Sequence, residues 1–170
     1  MSDERDARAH APPDYELFES ETAFQAAVDR LLAQSGRELR VFDPELAALR
    51  LNSPERVACI ERFLQASRTR RLYLATHDTD HLSKYCPRML GLLKRFSHAI
   101  QIQRTHEEVC ALRDSFLVLD ALHFVRRPEA ALWRGVICLD DRNEAYAMRA
   151  RFLEIWAASY PAISPTTLGL

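Results

Sequence analysis

The densest concentration of chemistry-bearing side chains in this sequence is His77-Asp78-Thr79-Asp80-His81. Imidazole nitrogens with carboxylate oxygens form a donor set for zinc or, with more oxygen, for magnesium or manganese. His77, Asp78, Asp80 and His81 are therefore candidate ligands for a metal-dependent hydrolase. The same carboxylates have a plainer use, since an acidic group at a helix start accepts free backbone N–H groups. Capping is the favoured reading, and no cofactor is expected. A second set is cationic: Arg104 and His106, then Arg113, Arg126, Arg127 and Arg134, with Trp133 as a stacking surface. Guanidinium forks match phosphate and carboxylate oxygens, so these residues suggest a pocket for a small anionic ligand. The competing reading leaves them solvated or paired with Glu107, Glu108 and Asp114. His98 and His123, each alone beside a strand, read as structural, and His10 carries no signal. There is no G-x-S-x-G elbow, and with only 4 glycines in the chain no phosphate-cradling loop either.

Composition bounds what these residues can do. The 170 residues are 48% hydrophobic and 28% charged, enough to bury the core of one domain. A net charge of −1 argues against a dedicated nucleic-acid binder, although a local basic patch stays open. Lys84 and Lys94 are the only lysines, so the positive charge is almost all arginine. No apolar run approaches the roughly 18 residues of a membrane span, and Met1 to Pro13 is polar and mixed in charge, which together predict a cytoplasmic protein. Cys59, Cys86, Cys110 and Cys138 are widely spaced and read as small buried apolar residues.

The elements that position these groups alternate. Residues 1–20 show no sustained period and read as a flexible lead-in; the domain is expected over 21–160, with a tail at 161–170. Phe24, Val28, Leu31 and Leu32 recur at helical spacing behind Ser20 and Thr22. Leu39, Val41 and Phe42 make a short strand closed by Asp43-Pro44. Ser53-Pro54-Glu55 opens a helix with a cap, a proline at its first position and an acid in its first turn. Residues 71–76 read as a strand covered on both faces. Asp78 or Thr79 starts a helical stretch that Pro87 interrupts, and Ile100 and Ile102 alternate with glutamines in a third strand. Three strand-like runs follow at 116–119, 122–125 and 135–139, joined by connections too short for helices, as in an antiparallel meander. A final helix runs from the Asp140-Asp141 cap through Ala145, Met148, Phe152, Ile155, Trp156 and Ser159 to about Pro161. The fold class is α/β, a mixed sheet with a parallel βαβαβ half followed by the meander and helices on both faces.

This order, with its closing Phe152-Leu-Glu-Ile-Trp156 helix, resembles one repeat of the phospholipase D superfamily over roughly residues 50–160, especially its small single-motif bacterial nucleases. That family's signature is H-x-K, four residues, then Asp; its histidine attacks phosphorus, its lysine holds phosphate oxygens and its aspartate steadies the constellation. Alignment on Asp120 puts Arg113 at the histidine position and Ser115 at the lysine position. An arginine is always protonated and cannot be the nucleophile, and serine cannot replace the lysine's charge. The glycine-serine-asparagine stretch that follows in the family is replaced by Arg126-Arg127-Pro128-Glu129 and Trp133-Arg134-Gly135. The resemblance thus implies a pseudoenzyme with a degenerate motif, binding an anion or a protein partner through His77, Asp78, Asp80, His81, Arg104, His106, Arg113, Asp120, Arg126 and Arg134. It also implies a homodimer, because single-motif relatives pair to complete a site. A purely structural role is the remaining alternative. The sequence is also similar to a bacterial family of no assigned activity that carries the same T-H-D-T-D-H-L segment and an R-F-x-E-I-W-like ending. Likeness to the H-x-H-x-D-H box of metallo-β-lactamase-like hydrolases fails, since Thr76 and Asp78 occupy its two histidine positions.

Overall fold

A computed structural model describes residues 13–164. Eight strands form one sheet in the order β1-β7-β6-β5-β2-β3-β4-β8. They are β1 (Asp14–Phe18), β2 (Glu38–Phe42), β3 (Arg71–Thr76), β4 (Ile100–Thr105), β5 (Ser115–Leu119), β6 (His123–Arg127), β7 (Gly135–Leu139) and β8 (Ser159–Ile163). The helices are α1 (Glu21–Leu32), α2 (Pro54–Gln65), α3 (Asp80–Tyr85), α4 (Pro87–Arg95) and α5 (Arg142–Ala157). β2, β3 and β4 pair in parallel, while β5, β6 and β7 form the antiparallel meander, joined to the parallel part by β5 against β2.

Local chemistry sets the helix ends. Ser20 accepts the N–H of Ala23 at the start of α1, and Ser53 accepts that of Arg56 at the start of α2, with Pro54 in the first turn. Pro87 divides the 80–95 stretch into α3 and α4, because it cannot donate into a continuous helix. The Asp141 carboxylate caps α5 through the N–H groups of Asn143 and Glu144.

Strand alternation then sends residues to two cores. On one face Val41, Leu74, Ile102, Leu117, Val125 and Ile137 pack with Val28, Leu31, Ile60 and Leu93 of α1, α2 and α4. On the other, Phe42, Ala75, Phe116, Val118, Phe124 and Cys138 meet Ala145, Met148, Phe152 and Ile155 of α5. Each fully buried leucine or phenylalanine contributes about 1.5–3 kcal/mol, so both layers are needed. Gly135 admits the closing of β1 over β7, since a Cβ there would fall 2.5 Å from Cζ of Phe18.

Several expectations need correction. Residues 14–18 are not a lead-in but the edge strand β1, antiparallel to β7; the rest of the expected lead-in, with His10, lies outside the described residues, apart from the immediate neighbours of β1. The last helix stops at Ala157 rather than near Pro161, and 159–163 returns as β8 along β4. Proline is acceptable there because β8 is an edge, and the register shifts beside it between Ile102 and Gln103. Most of the expected tail, 165–170, lies outside the described residues. Cys86 and Cys138 are buried as expected, but Cys59 is half-buried and Cys110 exposed. No helix among the described residues is long and apolar enough to cross a membrane.

His123 is buried at the start of β6, and its Nδ1 accepts the N–H of Asp140. Burial lowers its pKa below the usual 6.5, against the opposing pull of Asp140 and Asp120. The unfolded chain therefore binds a proton below about pH 6.5 that the fold resists. This contribution to stability is complete above that pH and declines as pH falls from there toward the lowered folded pKa. Urea unfolding at about pH 7.5 and about pH 5.5 should show a loss of up to about 1.4 kcal/mol per pH unit from this residue. His123→Asn keeps an acceptor for Asp140 but does not titrate, so its pH dependence should be shallower; an identical slope would remove the assignment.

Candidate functional site

The carboxyl ends of β2 and β3, the segment before β5 and the loop after β6 meet at one end of the sheet. Between them lies a cavity of about 330 Å3 lined by Asp43, Glu45, His77, Arg113, Arg127 and Glu129, among others. The ligand-favouring end of an open α/β sheet is this one.

Arg127 carries the greatest constraint here. Its position opposite Ser115 in the β5–β6 ladder turns it inward, and it is 1% exposed. One guanidinium nitrogen donates to Asp43 Oδ2 at 3.1 Å and to Ser115 Oγ at 3.4 Å, and the other to the carbonyls of Ala130 at 2.8 Å and Leu132 at 3.4 Å. The guanidinium also lies over the rings of Phe24, 4.3 Å from its centroid, and Trp133, 5.3 Å away. Burial lowers its pKa while Asp43 raises it; an arginine remains charged throughout. Asp43 is itself fixed, because its Oδ1 accepts the N–H groups of Glu45 and Leu46. The position aligned with the family's lysine is thus a buried serine hydroxyl, while the nearest fixed positive charge comes from β6.

His77 stands on the adjacent wall with both ring nitrogens engaged. Nε2 lies 2.7 Å from the carbonyl oxygen of Leu112, which can only accept, so Nε2 carries the proton. Nδ1 is then left to accept from the Thr105 hydroxyl at 2.6 Å. Asp78 Oδ1 accepts the N–H of Asp80, and Asp80 Oδ2 pairs with Lys84. His81 lies against Tyr85, 5.6 Å between ring centroids. The four candidate metal ligands are therefore engaged separately and do not converge; no group of three or more His, Cys, Asp or Glu that could hold a metal occurs among the described residues.

The cationic set divides in the same way. Arg113 is exposed at the cavity mouth and has no acidic partner within 4 Å among the described residues. Arg104 donates to the backbone carbonyl of His77, and His106 lies against Tyr160 at 4.8 Å, both beside a shallower neighbouring cleft. Arg126 points to the opposite face of the sheet from Arg127, toward Asp114, which is held mainly by two hydrogen bonds from Arg151. Those bonds raise the Arg151 pKa. Arg134 is exposed and lines none of these cavities. Trp133 is a half-buried packing partner of Arg127 and Phe24, not a stacking surface for ligand. Asp120 lies at the opposite end of β5 from Arg113, where its Oδ1 accepts the N–H groups of Arg37 and Glu38; it steadies the β5–β6 turn rather than the pocket. Sequence reasoning missed Asp43, whose burial follows from the Asp-Pro step that ends a fully covered strand.

A sheet of this order with helices on both faces and a cavity at the ends of its parallel strands has the phospholipase D-like fold. Residues 20–165 match the model of a domain family of unknown function, DUF7931, and the chain belongs to that family. Solved structures with similar folds include Nuc from Salmonella typhimurium, a phospholipase D family member: 9% identity, TM-score 0.59, covering 89% of this chain and 99% of that one. NucT from Helicobacter pylori gives 11% identity and TM-score 0.61, covering 88% and 99%. TrmBL2, an archaeal chromatin protein with a novel mode of DNA binding, gives 10% identity and TM-score 0.63, covering 87% of this chain but 54% of that one, so this chain spans about half its length. No curated protein matches the sequence.

Proposed function

We propose that this domain is a non-catalytic binding module of phospholipase D-like fold whose cavity receives a small ligand through an anionic group placed on Arg113. The observation that carries the reading is an unpaired guanidinium at the mouth of a 330 Å3 cavity, in the position where the family's sequence motif has its histidine. The neighbouring imidazole of His77 is committed to Leu112 and Thr105, which argues against its acting as a replacement nucleophile. Asp43 neutralises Arg127, whereas Glu45, Asp78 and Glu129 add negative charge to the lining. Bare phosphate meets more acid than base in such a cavity. A ligand that pairs its anionic group with an ammonium fits the balance better.

Thermal melting of the purified chain with O-phosphoethanolamine should show stabilisation that exceeds the effect of inorganic phosphate. Ligand at about 100 times its Kd stabilises by about 2.7 kcal/mol, a shift of several degrees. Arg113→Ala should abolish the shift without altering the unliganded melting temperature. Absence of any shift with phosphate, phosphoethanolamine or amino-acid carboxylates would remove the anion pocket. Cleavage of bis(p-nitrophenyl) phosphate that depends on His77 would overturn the non-catalytic reading.

A further inference from the structure

The end of the sheet remote from the Arg127 cavity is where β2 and β3 begin. Arg37, Arg68 and Arg70 arrive there from the loops that enter these strands, Arg71 begins β3, and Arg142 and Arg149 come from α5. Several arginines elsewhere on the surface hold carboxylates: Arg30 with Asp14 and Glu16, Arg50 with Glu21, Arg95 with Glu61, Arg151 with Asp114. The arginines of this pole have no acidic partner within 4 Å among the described residues. Arg70 and Arg71 turn to backbone carbonyls of Gly36, Arg68 and Arg70, which leaves Arg37, Arg68 and Arg142 exposed and Arg149 half-buried in a cleft wall. Of the nearby acids, Glu144 is exposed on α5 and the others are engaged. Asp120 accepts backbone N–H groups, Glu38 pairs with Arg40, Asp141 caps α5 and Asp140 lies beside His123.

Two open clefts of about 390 and 370 Å3 meet at this pole and share Asp120 and Ala121. Arg37, Glu38, Thr69 and Arg149 line the first, Leu122, Arg142 and Tyr146 the second. Tyr146 is 63% exposed, a large ring left in water between cations. The arginines of this pole outnumber its carboxylates, Asp120 and Glu38 in the cleft walls among them, and a chain of phosphates balances the excess while releasing its own counterions. An aromatic ring beside such a groove stacks a base, and only an unpaired base offers its face. We propose that this pole binds single-stranded nucleic acid, with phosphates on Arg37, Arg68, Arg142 and Arg149 and a base on Tyr146.

The test is fluorescence anisotropy of the full chain with labelled oligo-dT and oligo-U of about 16 nucleotides over a range of salt. Four phosphate contacts give a log–log salt slope near −2.8, at about −0.7 per contact. Arg37→Gln with Arg149→Gln should make that slope shallower by about 1.4. Tyr146→Ala should weaken binding on the order of tenfold, with Tyr146→Phe restoring it. Arg62→Gln with Arg88→Gln removes two exposed cations elsewhere and should leave the affinity within twofold, roughly, after screening by salt. Arg149 is half-buried and the other side chains are exposed, and matching melting curves would confirm that the variants fold. No binding to either oligonucleotide at low salt would overturn the proposal. So would equal losses in the two double variants, or a preference for phosphatidylglycerol vesicles over oligonucleotide.

Discussion

Replacing Arg127 by alanine should destabilise the domain by about 3–5 kcal/mol, the cost of leaving one partner of a buried ion pair without the other. The stranded group is Asp43, which is 3% exposed and tied by its other oxygen to the backbone at Glu45 and Leu46, so it cannot swing out to water. Two carbonyls in the 130–132 loop would lose their donor as well, and Phe24 and Trp133 would face a void. At this chain length each kcal/mol is worth about 2–4 °C, so the melting temperature should fall by about 10 °C. Adding Asp43→Asn to Arg127→Ala should recover part of the loss, because a neutral amide is less costly to bury than an unpaired carboxylate. A loss under about 1 kcal/mol in Arg127→Ala would mean that water already reaches the pair, and the cavity floor would then be softer than the geometry indicates.

That floor was only half legible in the sequence. Arg126 and Arg127 stand side by side, and composition gives no reason to prefer either; strand parity decides, sending Arg127 into the cavity and Arg126 toward Asp114. Parity becomes readable only once the pairing of β5 with β6 is fixed. The central elements were plain for the opposite reason. β3 is apolar on both faces, α2 carries a serine cap and a first-turn proline, and Pro87 has to break the 80–95 stretch, so each signal is local. The two edge strands were missed because an edge needs so little from sequence. β1 reads Asp-Tyr-Glu-Leu-Phe with only Phe18 buried, and β8 contains a proline that a central strand would refuse. In the 77–81 segment the residue types suggested metal, but the choice depended on where each lone pair points. The imidazole of His77 is taken by Thr105 and Leu112, both distant in sequence, and no spacing rule could announce them.

Asp120→Ala should cost about 2–3 kcal/mol, the second largest effect expected. Asp120 has φ 55°, in the left-handed region that aspartate and asparagine tolerate and alanine does not, a difference of about 1 kcal/mol. Its Oδ1 also accepts the N–H groups of Arg37 and Glu38 at 2.9 Å each, and losing a charged acceptor adds about 1–2 kcal/mol for a half-buried site. Asp120→Asn keeps an oxygen and tolerates the same φ, so its loss should stay below about 1 kcal/mol; Asp120→Gly relieves the backbone but not the N–H groups and should fall between. Urea unfolding of the three variants separates the two contributions, and an alanine variant as stable as the asparagine one would refute both. The order matters beyond stability. Asp120, which the resemblance aligns with the motif's aspartate, closes the β5–β6 turn and seats the start of β2, at the opposite end of β5 from Arg113. Such an aspartate does its work whether residue 113 is an imidazole or a guanidinium. The scaffold therefore does not depend on the nucleophile, and a binding module can stand on it.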